Sequence, residues 1–185
     1  AIGYSGLSHE VFLFNDQELK FLGQLRGLYR TLWPHNIHQD VVTPAMDWSS
    51  YELVYLPNFA VLDDPAVQRL RQVLTSHSGP QIIADGYFGT FAGKGHWSFR
   101  PPEGLDDLVD ARVADFDMVN DHDVRAGRNV LRTDFGEFPL KSPTTYAILE
   151  PHSSMRPIAW IGDHIVGVQY SDRKFTWYGV SLAAT

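Results

Sequence analysis

The residues of this chain whose types and spacing could do chemistry are its 8 histidines, a set of acids, two glycine-rich stretches and one run of aromatics. His35 and His38 lie three apart, but Pro34 stands beside them where a helix would be ending, so they need not share a face. Neither H-E-x-x-H nor any other tight ligand spacing occurs, and no metal site is expected. Asn120-Asp121-His122-Asp123 gathers oxygen and nitrogen ligands, yet such a cluster is ordinarily a solvated turn. The chain has 0 cysteines, which removes disulfides, thiolate nucleophiles and thiolate metal ligands together. No G-x-S-x-G elbow is present, and Gly3-Tyr4-Ser5-Gly6 has the wrong spacing for one. Gly86-Tyr87-Phe88-Gly89 and Gly93-Lys94-Gly95 match neither a dinucleotide fingerprint nor a Walker-type loop, so no cofactor is expected. Glycoside chemistry needs two carboxyls about 5–9 Å apart across a cleft. Glu103, Asp106, Asp107, Asp110, Asp115 and Asp117 instead recur beside an apolar pattern, as acids on a solvated face do. No catalytic residue is nominated.

What an ordinary core explains least is the stretch 86–104. There Gly86, Gly89, Gly93, Gly95, Pro101, Pro102 and Gly104 interrupt Tyr87, Phe88, Phe91, Trp97 and Phe99. Loops this long in compact domains are usually functional or ordered by a partner. Aromatic faces pack on sugar rings and are enriched at subunit interfaces. Asp85, Tyr87, Phe88, Phe91, His96, Trp97 and Phe99 are therefore the candidates for interface or ligand-rim contacts. The competing reading is a local minicore folded over the sheet edge.

The elements that must position this loop follow from periodicity. Apolar residues 1–4 read as a first short strand. Asn15 or Asp16 can cap a helix in which Leu19, Leu22, Leu25, Leu28, Tyr29, Leu32 and Trp33 recur at threes and fours, with Pro34 at its end. Strands are expected at 39–42 and 51–56, each closed by a proline. Asp64 as N-cap, Pro65 behind it and the stripe Val67, Leu70, Val73, Leu74 mark a second helix, stopped by Gly79-Pro80 before a strand at 81–84. This alternation predicts an α/β fold with a mostly parallel sheet. A short helix is expected at 105–109. Beyond 110 the pattern turns to strands, at 112–119, 130–133, 146–149, 157–161, 165–170 and 175–182, with Gly162-Asp163 as a hairpin turn.

Composition bounds the answer further. At 185 residues and 44% hydrophobic content, one domain is the default and disorder is excluded. A net charge of −7 argues against a nucleic-acid or anionic-membrane partner, and no run is long enough for a membrane helix. A complete (β/α)₈ barrel, which typically needs about 250 residues, is excluded. The chain opens on Ala1 without a methionine, which fits a processed chain or a piece of something longer.

The stretch Leu28-Tyr29-Arg30-Thr31-Leu32-Trp33, then Asn36-Ile37 and Asp40-Val41-Val42-Thr43-Pro44, then Asp47-Trp48-Ser49-Ser50-Tyr51 leading to Leu53-Val54-Tyr55-Leu56-Pro57, resembles the middle domain of family 42 β-galactosidases. Ile82-Ile83-Ala84-Asp85-Gly86 and Gly89, Gly95-His96-Trp97, Pro102 to Leu108 with Arg112-Val113, and the closing Gly162-Asp163-His164 and Tyr178-Gly179-Val180-Ser181 are similar to its continuation. The resemblance covers nearly the whole chain. It implies a flavodoxin-like three-layer sandwich related to class I glutamine amidotransferases, with a β-rich C-terminal part, used for trimerisation and not for catalysis. The amidotransferase cysteine would stand at the turn where this chain has Asp85-Gly86-Tyr87, so that activity does not carry over. The β-galactosidase glutamates belong to a separate barrel.

The expectation is thus a single α/β domain over 1–185, with βα units at 1–85, the aromatic loop at 86–104 and a β-rich remainder at 105–185. It would assemble as a homotrimer in the cytoplasm and meet galactoside only through a parent enzyme. A carbohydrate- or small-ligand-binding module using the same loop, and a stand-alone hydrolase of amidotransferase-like fold without the cysteine, remain the alternatives.

Overall fold

The computed structural model describes residues 1–185 except 16, 77, 92–101, 103, 171, 173 and 183–185. Strand β1 (Ile2–Gly3) leads into helix α1 (Gly6–Phe14), capped by the Ser5 hydroxyl, which accepts from the Ser8 N–H at 3.1 Å. This helix was not expected, because its apolar residues form no single stripe and only Ser8 and Phe12 are buried. Asn15, expected to start the next helix, closes α1 instead, its amide donating to the Val11 carbonyl at 2.7 Å. Helix α2 (Glu18–Leu32) starts from Gln17 with no side-chain cap. A 3₁₀ turn (Trp33–His35) containing Pro34 ends it, and Asn36 then reverses the chain in the left-handed region at φ 54°.

Strands β2 (Val41–Val42) and β3 (Leu53–Leu56) follow, then helix α3 (Asp64–Thr75). Its cap is Asp63, whose carboxylate accepts from the Ala66 N–H at 2.9 Å, one residue ahead of the expected Asp64. Both acids satisfy the sequence pattern. The extended backbone of Asp63 decides between them, since a cap residue must lie outside helical φ/ψ. Strand β4 (Gln81–Asp85) comes next. The short helix expected at 105–109 is a single turn, in which Leu108 and Val109 both donate to the Leu105 carbonyl.

The rest is mainly strand: β5 (Ala111–Val119), β6 (Val130–Thr133), β7 (Gly136–Pro139), β8 (Thr144–Pro151), β9 (Met155–Ile161), β10 (His164–Tyr170) and β11 (Phe175–Tyr178). Between β5 and β6 the polar cluster at 120–123 starts helix α4 (Asp121–Arg125) and is not a bare turn. Asn120 accepts from the His122 and Asp123 N–H groups, and Asp123 accepts in return from the Asn120 N–H, a reciprocal cap that occupies these side chains.

Among the described residues nine strands form one sheet in the order β2-β1-β3-β4-β11-β10-β9-β6-β7. Neighbours from β2 through β11 are parallel, and those from β11 through β7 are antiparallel. The mostly parallel expectation therefore holds for one half only, and the sheet is mixed. Parallel neighbours need long crossovers, which helices supply before residue 85 and the whole β-rich part supplies between β4 and β11, whereas the short β6–β7, β9–β10 and β10–β11 turns join antiparallel neighbours. Strands β5 and β8 pair as a separate ribbon. It is stitched to the large sheet where Tyr146 bridges Val180 and the Ala147 N–H donates to the Gly179 carbonyl at 2.7 Å. A Cβ at Gly179 would collide with the Ala147 carbonyl, so the crossing needs glycine.

One core cluster joins Leu70 of α3 and Val54, Leu56 and Ile82 of the parallel strands to Phe175, Trp177 and Leu149 of the β-rich part. A second joins Tyr146, Ile158, Val166, Tyr178 and Val180, with Ile83 packed against it. Both clusters draw on residues from each half of the sequence. As a test of the cap, Asp63→Ala lowers unfolding free energy by about 1 kcal/mol in urea titrations. Asp64→Ala loses only the smaller charge–dipole contribution.

Candidate functional site

The parallel strands β3, β4 and β11 end at one side of the sheet, the position where open α/β sheets gather their functional groups. Asp85 ends β4 there and is 0% exposed. Its Oδ1 accepts from the Asn58 N–H at 2.9 Å, and its Oδ2 accepts from the Leu182 N–H at 2.8 Å and from the Tyr55 hydroxyl. Burial raises the Asp85 carboxyl to about 6, against the pull of these three donors toward the ionised form. Burial, and then the Asp85 charge, push the Tyr55 phenol well above its ordinary value, so it stays a donor.

The turns around Asp85 explain why these donors converge. Asn58 lies in the left-handed region at φ 44°. Its side chain accepts from the Tyr87 N–H at 3.2 Å and donates to Gln24 of α2. Gly86 has φ 60°, and a Cβ there would fall on Asn58 Oδ1. The carboxylate thus ties β3, β4, the turn at Asn58 and the segment after β11 into one knot.

A cavity of about 360 Å³ opens beside this knot, lined among others by Phe12, Gln24, Tyr87, Tyr146 and Ser181, with Lys20 on its wall. The Ser181 hydroxyl is buried without a hydrogen-bond partner among the described residues. The Tyr146 hydroxyl donates to Asp117 at 2.9 Å, and His164 Nδ1 lies 3.1 Å from the same oxygen. Burial, followed by the Asp117 charge, raises the Tyr146 phenol.

The expected site residues separate by burial. Phe88 is 0% exposed and packs between Phe175 and Trp177, with ring centroids at 5.5 and 5.8 Å. It is a core residue with no surface to offer a rim or partner, and Asp85 is equally enclosed. Tyr87 and Phe91 are half-buried, with centroids 6.5 Å apart, and Tyr87 lines the cavity. His96, Trp97 and Phe99 lie outside the described residues. Tyr55, Asn58, Gln24 and Ser181 were not foreseen. Gln24 carried a signal, since it stands on the helix face of Phe21 and Leu28, where a polar residue needs a buried partner.

Glu103 lies outside the described residues, and three of the other acids are engaged in local pairs. Asp107 pairs with Arg71, Asp110 accepts from Ser154, and Asp117 from Tyr146. Among the described residues no group of three or more His, Asp or Glu could hold a metal, and no helix is long and apolar enough to cross a membrane. The mixed sheet and the sealed carboxylate at its crest define an α/β domain with a β-rich part. The chain belongs to the β-galactosidase trimerisation domain family, whose model matches residues 9–137. It is 26% identical over 166 residues to the β-galactosidase BbgII of Bifidobacterium bifidum, covering 83% of this chain and 23% of that protein. Gan42B, a β-galactosidase of G. stearothermophilus, superposes with a TM-score of 0.73 at 18% identity, over 97% of this chain and 27% of that one. The β-galactosidase of Bacillus circulans sp. alkalophilus gives 0.67 at 13% identity, over 87% and 25%. The chain therefore spans about a quarter of the length of these three relatives.

Two measurements test these assignments. Phe88→Ala costs about 3–5 kcal/mol of stability by urea unfolding, as a core truncation does. Asp85 keeps its proton up to pH about 6 when folded, against 3.8 ordinarily, so its stabilising contribution is complete below the lower value and is lost as pH rises through 6. The loss amounts to about 3 kcal/mol. The stability difference between the parent chain and Asp85→Asn, measured at about pH 4 and about pH 7.5, shrinks toward the higher pH. Parallel profiles would mean that the carboxyl titrates alike in both states.

Proposed function

We propose that this chain is the assembly domain of a longer β-galactosidase polypeptide, holding the catalytic barrels of neighbouring subunits in a homotrimer. The observation that carries this reading is the family match over residues 9–137, together with superposition of 97% of the chain on Gan42B. The parallel strands β2-β1-β3-β4-β11, followed by a β-rich remainder, support a flavodoxin-like, class I glutamine amidotransferase-like ancestry. The two core clusters shared by both halves of the sequence support a single domain over 1–185. Galactoside is handled by the parent enzyme's barrel, and assembly takes place in the cytoplasm.

In this reading Tyr87 and Phe91, with His96, Trp97 and Phe99, furnish contacts at the interface or active-site rim. Asp85 and Phe88 hold the base of that loop from inside. A second reading, a small hydroxylated ligand in the cavity beside Tyr87, is favoured by the unpartnered Ser181 hydroxyl. Saturable heat of binding for galactose would support it.

Light scattering over a concentration series tests the first reading. The expected mass is three times the 20.9 kDa chain. A monomer at every concentration would overturn trimerisation by this chain's own surfaces.

A further inference from the structure

The two open edges of the nine-stranded sheet carry unlike surfaces. At one edge, β2 pairs only with β1 among the described residues, and Val41 is 61% exposed. Beside it lies a hollow of about 230 Å³ lined by Ile2, Leu25, Arg26, Tyr29, Arg30 and Val41. Among the described residues its lining holds no acid and neither arginine has an ion-pair partner. The Tyr29 ring of α2 stacks on the Trp33 ring of the following 3₁₀ turn, with centroids 5.5 Å apart, and both are exposed.

At the opposite edge, the β6–β7 hairpin presents Asp134-Phe135-Gly136-Glu137-Phe138. Phe135 is 87% exposed, the highest value of any large apolar residue described, and Phe138 is exposed beside it. Glu137 has no ion-pair partner among the described residues, and Asp134 reaches Arg156 only at 3.8 Å. An aromatic tip with two acids thus faces away from one end of the sheet, and an apolar hollow with two arginines opens at the other. Exposed phenylalanine rings of this kind cost solvation unless something covers them. Open sheet edges need a partner or protection as well.

We infer that the β6–β7 hairpin of one copy seats in the α2–β2 hollow of the next. Phe135 packs against Tyr29 and Val41, and Asp134 and Glu137 face Arg26 and Arg30. Because the two surfaces differ, the contact is head-to-tail, the kind that closes into a ring when the rotation per subunit allows. This names a subunit contact beyond the aromatic loop for the self-association proposed above and rests on that reading. Opposite charges at the rim speed encounter and set the register, while the desolvated rings supply the affinity.

The absence of cysteine makes a direct test available. Arg26→Cys combined with Glu137→Cys, which leaves the Phe135, Tyr29 and Val41 contact in place, is treated with a short bis-maleimide, and each single variant serves as control. The expected result is a covalent trimer as the largest product of the double variant, with each single variant left uncrosslinked. In a second measurement, Arg26→Glu with Arg30→Glu weakens association about tenfold or more, and adding Asp134→Arg and Glu137→Arg restores it. Trimeric parent chain with no crosslink in the double variant, and no effect of the charge reversals, would overturn this surface and leave trimerisation standing. A parent chain that is monomeric at every concentration would overturn both. Crosslinked ladders beyond three chains would overturn the closed ring.

Discussion

A single buried carboxylate organises the crest of this molecule. Asp85 sits where β4 ends and accepts from Tyr55 on β3, from the backbone of Asn58 and from the backbone of Leu182 near the end of the chain. Those donors come from segments separated by 30, 27 and 97 residues of sequence. An acid out of contact with water is tolerated only when such donors replace its hydration, so the three segments are obliged to converge. The same enclosure removes Asp85 from any substrate. A position that could have displayed a reactive group is used to close the fold.

Strand β11 is the second constraint, because it joins two kinds of pairing. It lies parallel to β4 and antiparallel to β10, so the helix-linked strands and the hairpin-linked strands continue into one sheet. Phe175 and Trp177 point to the α3 side and Tyr178 to the other, and the residues after it meet the β5–β8 ribbon. Loss of β11 would separate the halves and leave Asp85 without its Leu182 donor. The molecule thus invests its polar interior in cohesion and leaves its sheet edges, with Val41 at one and Phe135 at the other, as the surfaces free to meet another copy.

The alternation of helix and strand, the positions of every strand after residue 110 but β7 (β11 stopping at Tyr178, short of the expected 182) and the β9–β10 hairpin at Gly162-Asp163 were legible in the sequence, because each rests on a local period or turn chemistry. The resemblance carried by Asp47-Trp48-Ser49-Ser50-Tyr51 and its flanks pointed to the family that the match over 9–137 bears out. Helix α1 escaped because it shows no stripe, and β7 because its residues, all exposed, bury no face that would set a period. Among the site residues, sequence singled out Asp85 and Tyr87 but not Tyr55 or Asn58, whose partners lie about 30 positions away. Phe88 was misjudged for the same reason, since nothing in the loop shows that Phe175 and Trp177 will enclose it.

Sequence by itself therefore determined most of the elements, the lack of thiol chemistry and the family, all properties of residue types at short spacing. Only the tertiary structure decided which aromatic is core, which acid is sealed, that the sheet is mixed, and which surfaces lie at its two open edges. These depend on strand order, and strand order is set by long-range packing that no local pattern records.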